Sequence, residues 1–206
     1  MYARSTTVHG NPEDLDEGIA YVRDQGLPMA EQMDGCIGLS MLADRGSGRC
    51  IITTAWESAD AMRGSDRGVR DGRVRAGQLM GGGTEVAEWD VSLVHRLRPA
   101  DAGACTRLIW ARRQPGELDD VHDVVRMQLL PRLEELPGFC SVSLMVDDMS
   151  GRTATAVTFN SRATMDRSAS RCAALEAELA GATGLAITEV AGFDLVIAHL
   201  QVPELV

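Results

Sequence analysis

The groups in this 206-residue chain whose types suit chemistry are four histidines, three tryptophans and 20 basic residues, all of them arginine. With no lysine present, Schiff-base chemistry is excluded. His9, His95, His122 and His199 show neither H-x-x-x-H nor H-E-x-x-H spacing, so no metal centre is predicted. His9 closes a strand-like run, and an imidazole titrating near neutrality suits proton abstraction, which makes it the candidate general base. Trp56, in the stretch I-I-T-T-A-W-E-S-A-D-A-M from Ile51 to Met62, is the candidate wall of an aromatic-substrate pocket, against the alternative of a core residue under a helix.

Beyond Trp56 the pattern turns helical. Arg63, Arg67 and Arg70 recur at i, i+4, i+7 and could meet an anionic substrate, with Arg63 nearest to Trp56 in sequence. Asp60, Asp66 and Asp71 interleave with them, which reads equally as a solvated, salt-bridged face. Gly64, Gly68 and Gly72 share one helical face at a cost of about 0.8–1 kcal/mol each relative to Ala. Such a face permits close approach or leaves room, and with Met62 it forms the candidate substrate pocket. Gly81, Gly82 and Gly83 precede a strand rather than a helix and so make no phosphate cradle.

These groups have to be positioned by a repeated unit. A shift of 103 residues places Pro12 on Pro115, Pro28 on Pro131, Gly35 on Gly138, Ser40 on Ser143, Gly48 on Gly151, Trp56 on Phe159 and Ser58 on Ser161. One residue of slip later, Trp89 meets Phe193 and His95 meets His199, which makes the two histidines structural twins. The chain therefore reads as two tandem copies, 1–98 and 104–202, with R-P-A-D-A-G between them. Arg167, Arg171 and Leu175 stand where copy one has Gly64, Gly68 and Gly72, and are expected to fill the space in copy two.

Each copy predicts β-α-β-β-α-β. The first strand covers Tyr2 to His9, and Asn11 with Pro12 starts a helix that Gly26 and Pro28 kink or end. A hairpin joins Cys36–Ala43 to Cys50–Trp56, Ser58 caps a second helix from Ala59 to about Gln78, and Val86–Val94 is the last strand. This order gives an α+β fold, with two tandem ferredoxin-like (βαββαβ) repeats forming an intramolecular pseudo-dimeric α+β barrel.

The strand-Trp56-Glu57-Ser58 passage into a helix, the P-x-L-x-x-L-P-G-F run from Pro131 to Phe139, and the aromatic-Asp pairs Trp89-Asp90 and Phe193-Asp194 resemble the antibiotic biosynthesis monooxygenase (ABM) domain family. The resemblance covers nearly the whole chain twice. It implies a cofactor-independent monooxygenase acting on a small aromatic or polyketide-like substrate, with Trp56 on a pocket position. The different-class alternative is a non-catalytic ligand-binding or structural barrel. The haem-degrading branch has an Asn, Trp and His constellation with its His on the second helix; here the second helices hold no His, so haem degradation ranks third.

Composition narrows the partners. A net charge of −10 argues against nucleic acid, and no apolar run approaches the roughly 20 residues of a membrane span. The N-terminal residues lack the apolar run of a signal peptide, and five cysteines without a C-x-x-C pair read as buried reduced thiols, so a cytoplasmic location is expected. The expected partners are a small-molecule ligand or substrate and, as an oligomer, a homodimer of the pseudo-dimer.

Overall fold

Strands and helices follow the repeat order in the computed structural model, which describes residues 1–200, 204 and 205. The first repeat supplies β1 (Tyr2–His9), α1 (Leu15–Tyr21), α2 (Leu27–Glu31), β2 (Cys36–Asp44), β3 (Arg49–Trp56), α3 (Ala59–Gly64), α4 (Asp66–Leu79) and β4 (Gly83–Arg96). The second supplies β5 (Cys105–Arg112), α5 (Asp119–Val124), α6 (Leu130–Glu134), β6 (Phe139–Asp147), β7 (Arg152–Phe159), α7 (Arg162–Arg167), α8 (Ala169–Thr183) and β8 (Ala186–Leu200). Their hydrogen-bonding order, β1-β3-β2-β8-β5-β7-β6-β4, closes on itself. Each repeat thus lays its fourth strand beside its first, as the split unit requires. The fold is α+β, with two tandem ferredoxin-like repeats forming an intramolecular pseudo-dimeric α+β barrel.

Two compact units cut the chain at different points from the repeats. Unit one is Met1–Trp89 with the chain from Leu195, and unit two is Asp90–Asp194 with the C-terminal residues. The cuts fall inside β4 and β8, whose 14 and 15 residues are long enough to serve both units. In unit two, the second half of β4 pairs with β6 from Asp90↔Val146 to Arg96↔Ser141, and the first half of β8 pairs with β5. The twin histidines sit in the borrowed halves. His199 Nε2 lies 2.7 Å from Glu31 in unit one, and His95 Nε2 lies 2.7 Å from Glu134 in unit two, with the two glutamates at the same repeat position.

The helices depart from expectation in two places, each with a local cause. Ser58 and Ser161 cap α3 and α7 by accepting the backbone N–H of Ala61 and Thr164, but the expected single second helix breaks at Ser65 and Ser168. At the first break the Ser65 hydroxyl bonds the Met62 carbonyl, which competes with the helix's own hydrogen bonds. In the first helix, Pro28 and Pro131 do not end the helical run but sit just past a change in its geometry. A π-helical turn precedes each, at Val22–Gly26 and Val125–Leu129, and the chain continues into α2 and α6. The Leu27 and Leu130 amides reach back five residues to the Val22 and Val125 carbonyls, and this widened turn makes room for the ring of the proline that follows, which would clash with the carbonyl four residues back in a regular helix.

In each unit the core lies between helices and sheet. Unit one buries Val8, Leu15, Met41, Cys50 and Met80, and unit two buries Ile109, Val121, Leu144, Phe159 and Cys172. All five cysteines are free, and Cys50, Cys105, Cys140 and Cys172 are buried. Burial pushes these thiols up, Cys50 to about 12, so almost none of that sulfur is thiolate at neutral pH. Iodoacetamide at pH 8 is therefore expected to leave Cys50 unmodified in the native protein while the denatured chain takes five labels. Mass spectrometry of the peptides checks this, and rapid native labelling of Cys50 would contradict the packing.

Candidate functional site

The residues singled out by type and spacing do not converge. Trp56 is 0% exposed, and its indole N–H donates to Thr54 Oγ1 at 3.0 Å within its own strand. In the β1–β3 ladder Tyr2 faces Trp56 and His9 faces Arg49, so His9 and Trp56 stand seven residues apart, or about 24 Å along the strand direction. His9 is 55% exposed with Glu85 4.0 Å away. No single substrate could touch both the candidate base and the candidate wall. Arg63 is 68% exposed, 3.9 Å from Glu88, and Met62 is buried.

The glycine face meets the first helix of its own repeat. A Cβ at Gly68 would lie 2.8 Å from the methyl of Met33, one at Gly72 would lie 2.6 Å from that of Met29, and Gly64 faces open space. Flexible methionine tips thus take up the room at two of the three glycines. At the twin positions of copy two, Leu175 is buried while Arg167 and Arg171 are exposed, so the two arginines do not fill that layer as expected.

Two strand arginines that spacing did not single out, Arg4 buried and Arg107 partly buried, do organise the layers between sheet and helices. Arg4 on β1 is 3% exposed; its Nε and Nη2 donate to Glu88 Oε1 at 3.3 and 2.8 Å, and its Nη1 donates to Ser65 Oγ at 3.1 Å. Its repeat twin, Arg107 on β5, grips Glu176 on α8 with two donors, Nε to Oε1 at 2.6 Å and Nη2 to Oε2 at 3.2 Å. The sequence held a signal for them: an arginine recurs 103 residues apart in the middle of a strand that otherwise alternates apolar and small residues.

The Arg107–Glu176 pair borders a cavity of about 40 Å³ inside unit two. Val125, Leu129 and Leu133 from the first helix, Ile109, Thr155 and Val157 from the sheet, and Cys172, Leu175 and Leu179 from α8 complete it. The α8 residues recur at i, i+3, i+4 and i+7, the stripe that a helix turns toward a sheet. Burial raises the Cys172 thiol, which suits it to lining rather than attack. Among the described residues, no group of three His, Cys, Asp or Glu side chains is placed to hold a metal ion, and no helix is long and apolar enough to cross a membrane.

The antibiotic biosynthesis monooxygenase (ABM) family signature matches residues 1–67. A Mycobacterium tuberculosis protein, Rv2558, named only as uncharacterized, is 45% identical over 207 residues, covering 100% of this chain and 88% of its own length. This chain is a tandem ABM-domain protein. A candidate monooxygenase from Lactobacillus acidophilus has the same fold, with a TM-score of 0.69 at 12% identity over 97% of this chain and 96% of its own. So does an anthrone oxidase-like protein, with a TM-score of 0.65 at 11% identity over 94% of this chain and 90% of its own.

The two ABM repeats hold their strand arginines differently. In repeat two the partner is Glu176 on the second helix, and the pair closes on itself. In repeat one the equivalent helix position is Arg73, and the carboxylates come from Asp66 and Glu88, whose twins Ala169 and Gly192 carry no charge. Hydrogen bonds from Arg73 and then Arg70 hold the Asp66 carboxyl below the usual range, so it stays ionised beside them.

Proposed function

We propose that this ABM protein oxidises a small electron-rich aromatic, such as a phenol, with dioxygen, and that the reaction takes place in the cavity of unit two. The observation that carries the reading is an apolar cavity with one two-pronged Arg–Glu pair at its edge. Cofactor-independent oxidation asks for that chemistry: a base for the phenol proton, a cation facing the phenolate oxygen, and walls that exclude water. In this reading Glu176, once its carboxylate swings from Arg107 toward the cavity, is the base, Arg107 the cation, and the leucines and valines of the lining the walls. The phenol oxygen gives its proton to Glu176, and the ring carbon opposite gives electrons to dioxygen. One oxygen atom becomes the second carbonyl of a quinone, and the other leaves as water.

A cavity of about 40 Å³ holds molecules of water or dioxygen size rather than a ring. The wall that gives way to admit a ring is the π-helical turn Val125–Leu129, since such turns sit where a helix already departs from regular geometry. That same tightness favours a second reading, a non-catalytic barrel that takes a small ligand.

Oxygen uptake across a panel of phenols and hydroxylated polycyclic aromatics separates the two. Glu176→Gln is expected to lower turnover by about 100-fold or more, the usual loss when a positioned base goes. Equal rates in variant and parent would remove the site, and binding without oxygen uptake by the parent would leave the second reading. Trp56→Phe in the same panel tests the sequence-derived site around Trp56, Met62, Arg63 and the glycines. A changed rate with the core still filled would move the chemistry to unit one.

A further inference from the structure

Residues 4 and 107 are repeat twins, and so are 73 and 176. In unit two this quartet's members form a closed pair, Arg107 with Glu176. In unit one both positions hold arginine, so the same layer that carries an ion pair in one repeat carries two guanidiniums in the other.

The surroundings only partly compensate. Asp66 accepts from Arg73 at 2.6 Å and from Arg70 at 3.0 Å, with Arg4 at 3.8 Å; Glu88 accepts from Arg4 at 2.8 Å, with Arg63 at 3.9 Å. Four guanidiniums face two carboxylates. Arg73 Nη1 is buried and has no acceptor among the described residues, an arrangement that folded proteins avoid unless something supplies an oxygen. Arg63 and Arg70 are exposed, which leaves the cluster reachable from solvent.

We propose that unit one carries a binding site for a small carboxylate, formed by Arg73 and Arg70 with Arg63 beside them, separate from the cavity of unit two. The ligand class follows from the donors that Asp66 leaves over. Arg73 and Arg70 already share the one carboxylate of Asp66, and a second such group, with two acceptor oxygens, matches the planar guanidinium forks that remain. The site does not depend on the oxidation chemistry assigned to unit two.

The test is a titration of the full chain, labelled with 15N-arginine, by sodium acetate and then sodium benzoate at ionic strength held constant with chloride. The Nε–Hε signals, assigned by single substitutions, are expected to shift saturably for Arg70 and Arg73. Arg70→Gln, at an exposed position that keeps the fold, is expected to weaken binding about tenfold, the effect of losing one charge-assisted hydrogen bond. Arg75→Gln on the same helix should leave it unchanged. Shifts that stay linear in acetate and benzoate would overturn the proposal, as would equal affinity in Arg70→Gln and parent. Saturation by inorganic phosphate with both carboxylates silent would overturn the ligand class.

Discussion

Trp56→Ala is expected to destabilise the folded protein by about 3–5 kcal/mol, the range for removing a large buried aromatic. The side chain has no exposed surface, and its loss opens a cavity at the end of β3 while removing the bond from its indole to Thr54. At about 2–4 °C per kcal/mol for a chain of this size, the melting temperature should fall by roughly 6–20 °C. Trp56→Phe should be much milder, because Phe159 at the twin position is just as completely buried and shows that a phenyl ring suits the place. Thermal and urea unfolding measure both. A loss below about 1 kcal/mol for the alanine variant would mean that the indole lines a space rather than fills one.

The second large effect is expected at the unit-two pair. Arg107→Ala strands Glu176, which is 13% exposed, as a nearly buried carboxylate without its partner. Breaking a buried pair typically costs 3–5 kcal/mol, and the partial exposure here lowers that to about 2–4 kcal/mol. Arg107→Met combined with Glu176→Met should recover most of the loss, because two apolar chains of similar length remove the unpaired charge and fill the layer. A double-mutant cycle by urea denaturation reads the difference. A double variant as unstable as the single one would show that packing of the arginine stem, not the stranded charge, sets the cost.

The fold was legible because a duplication writes itself twice. Pro28 with Pro131, Gly48 with Gly151 and Ser58 with Ser161 mark the same turns and caps at one offset, and strand order follows from the β-α-β-β-α-β pattern. The site was not, because spacing along a chain does not report which end of a strand a residue occupies. His9 and Trp56 each lie at a strand terminus, and only the antiparallel register puts them at opposite ends of the sheet. The glycines were ambiguous for a related reason. A missing side chain marks a close approach or a gap, and Met29 and Met33, distant in sequence, decide between the two. Arg4 and Arg107 were findable, since a charged residue repeated inside a strand has to meet a partner when the helices close over it.

The division of β4 and β8 between the two units bears on how the chain reaches its native state. Each unit borrows strand residues from the far side of the sequence, so β2 completes its ladder only after β8 has been synthesised. Pairings of such large sequence separation raise contact order and slow folding. Released on its own, the first repeat would also expose β2 as an unpaired edge open to another copy. The first repeat can therefore stand alone only where some other strand covers that edge.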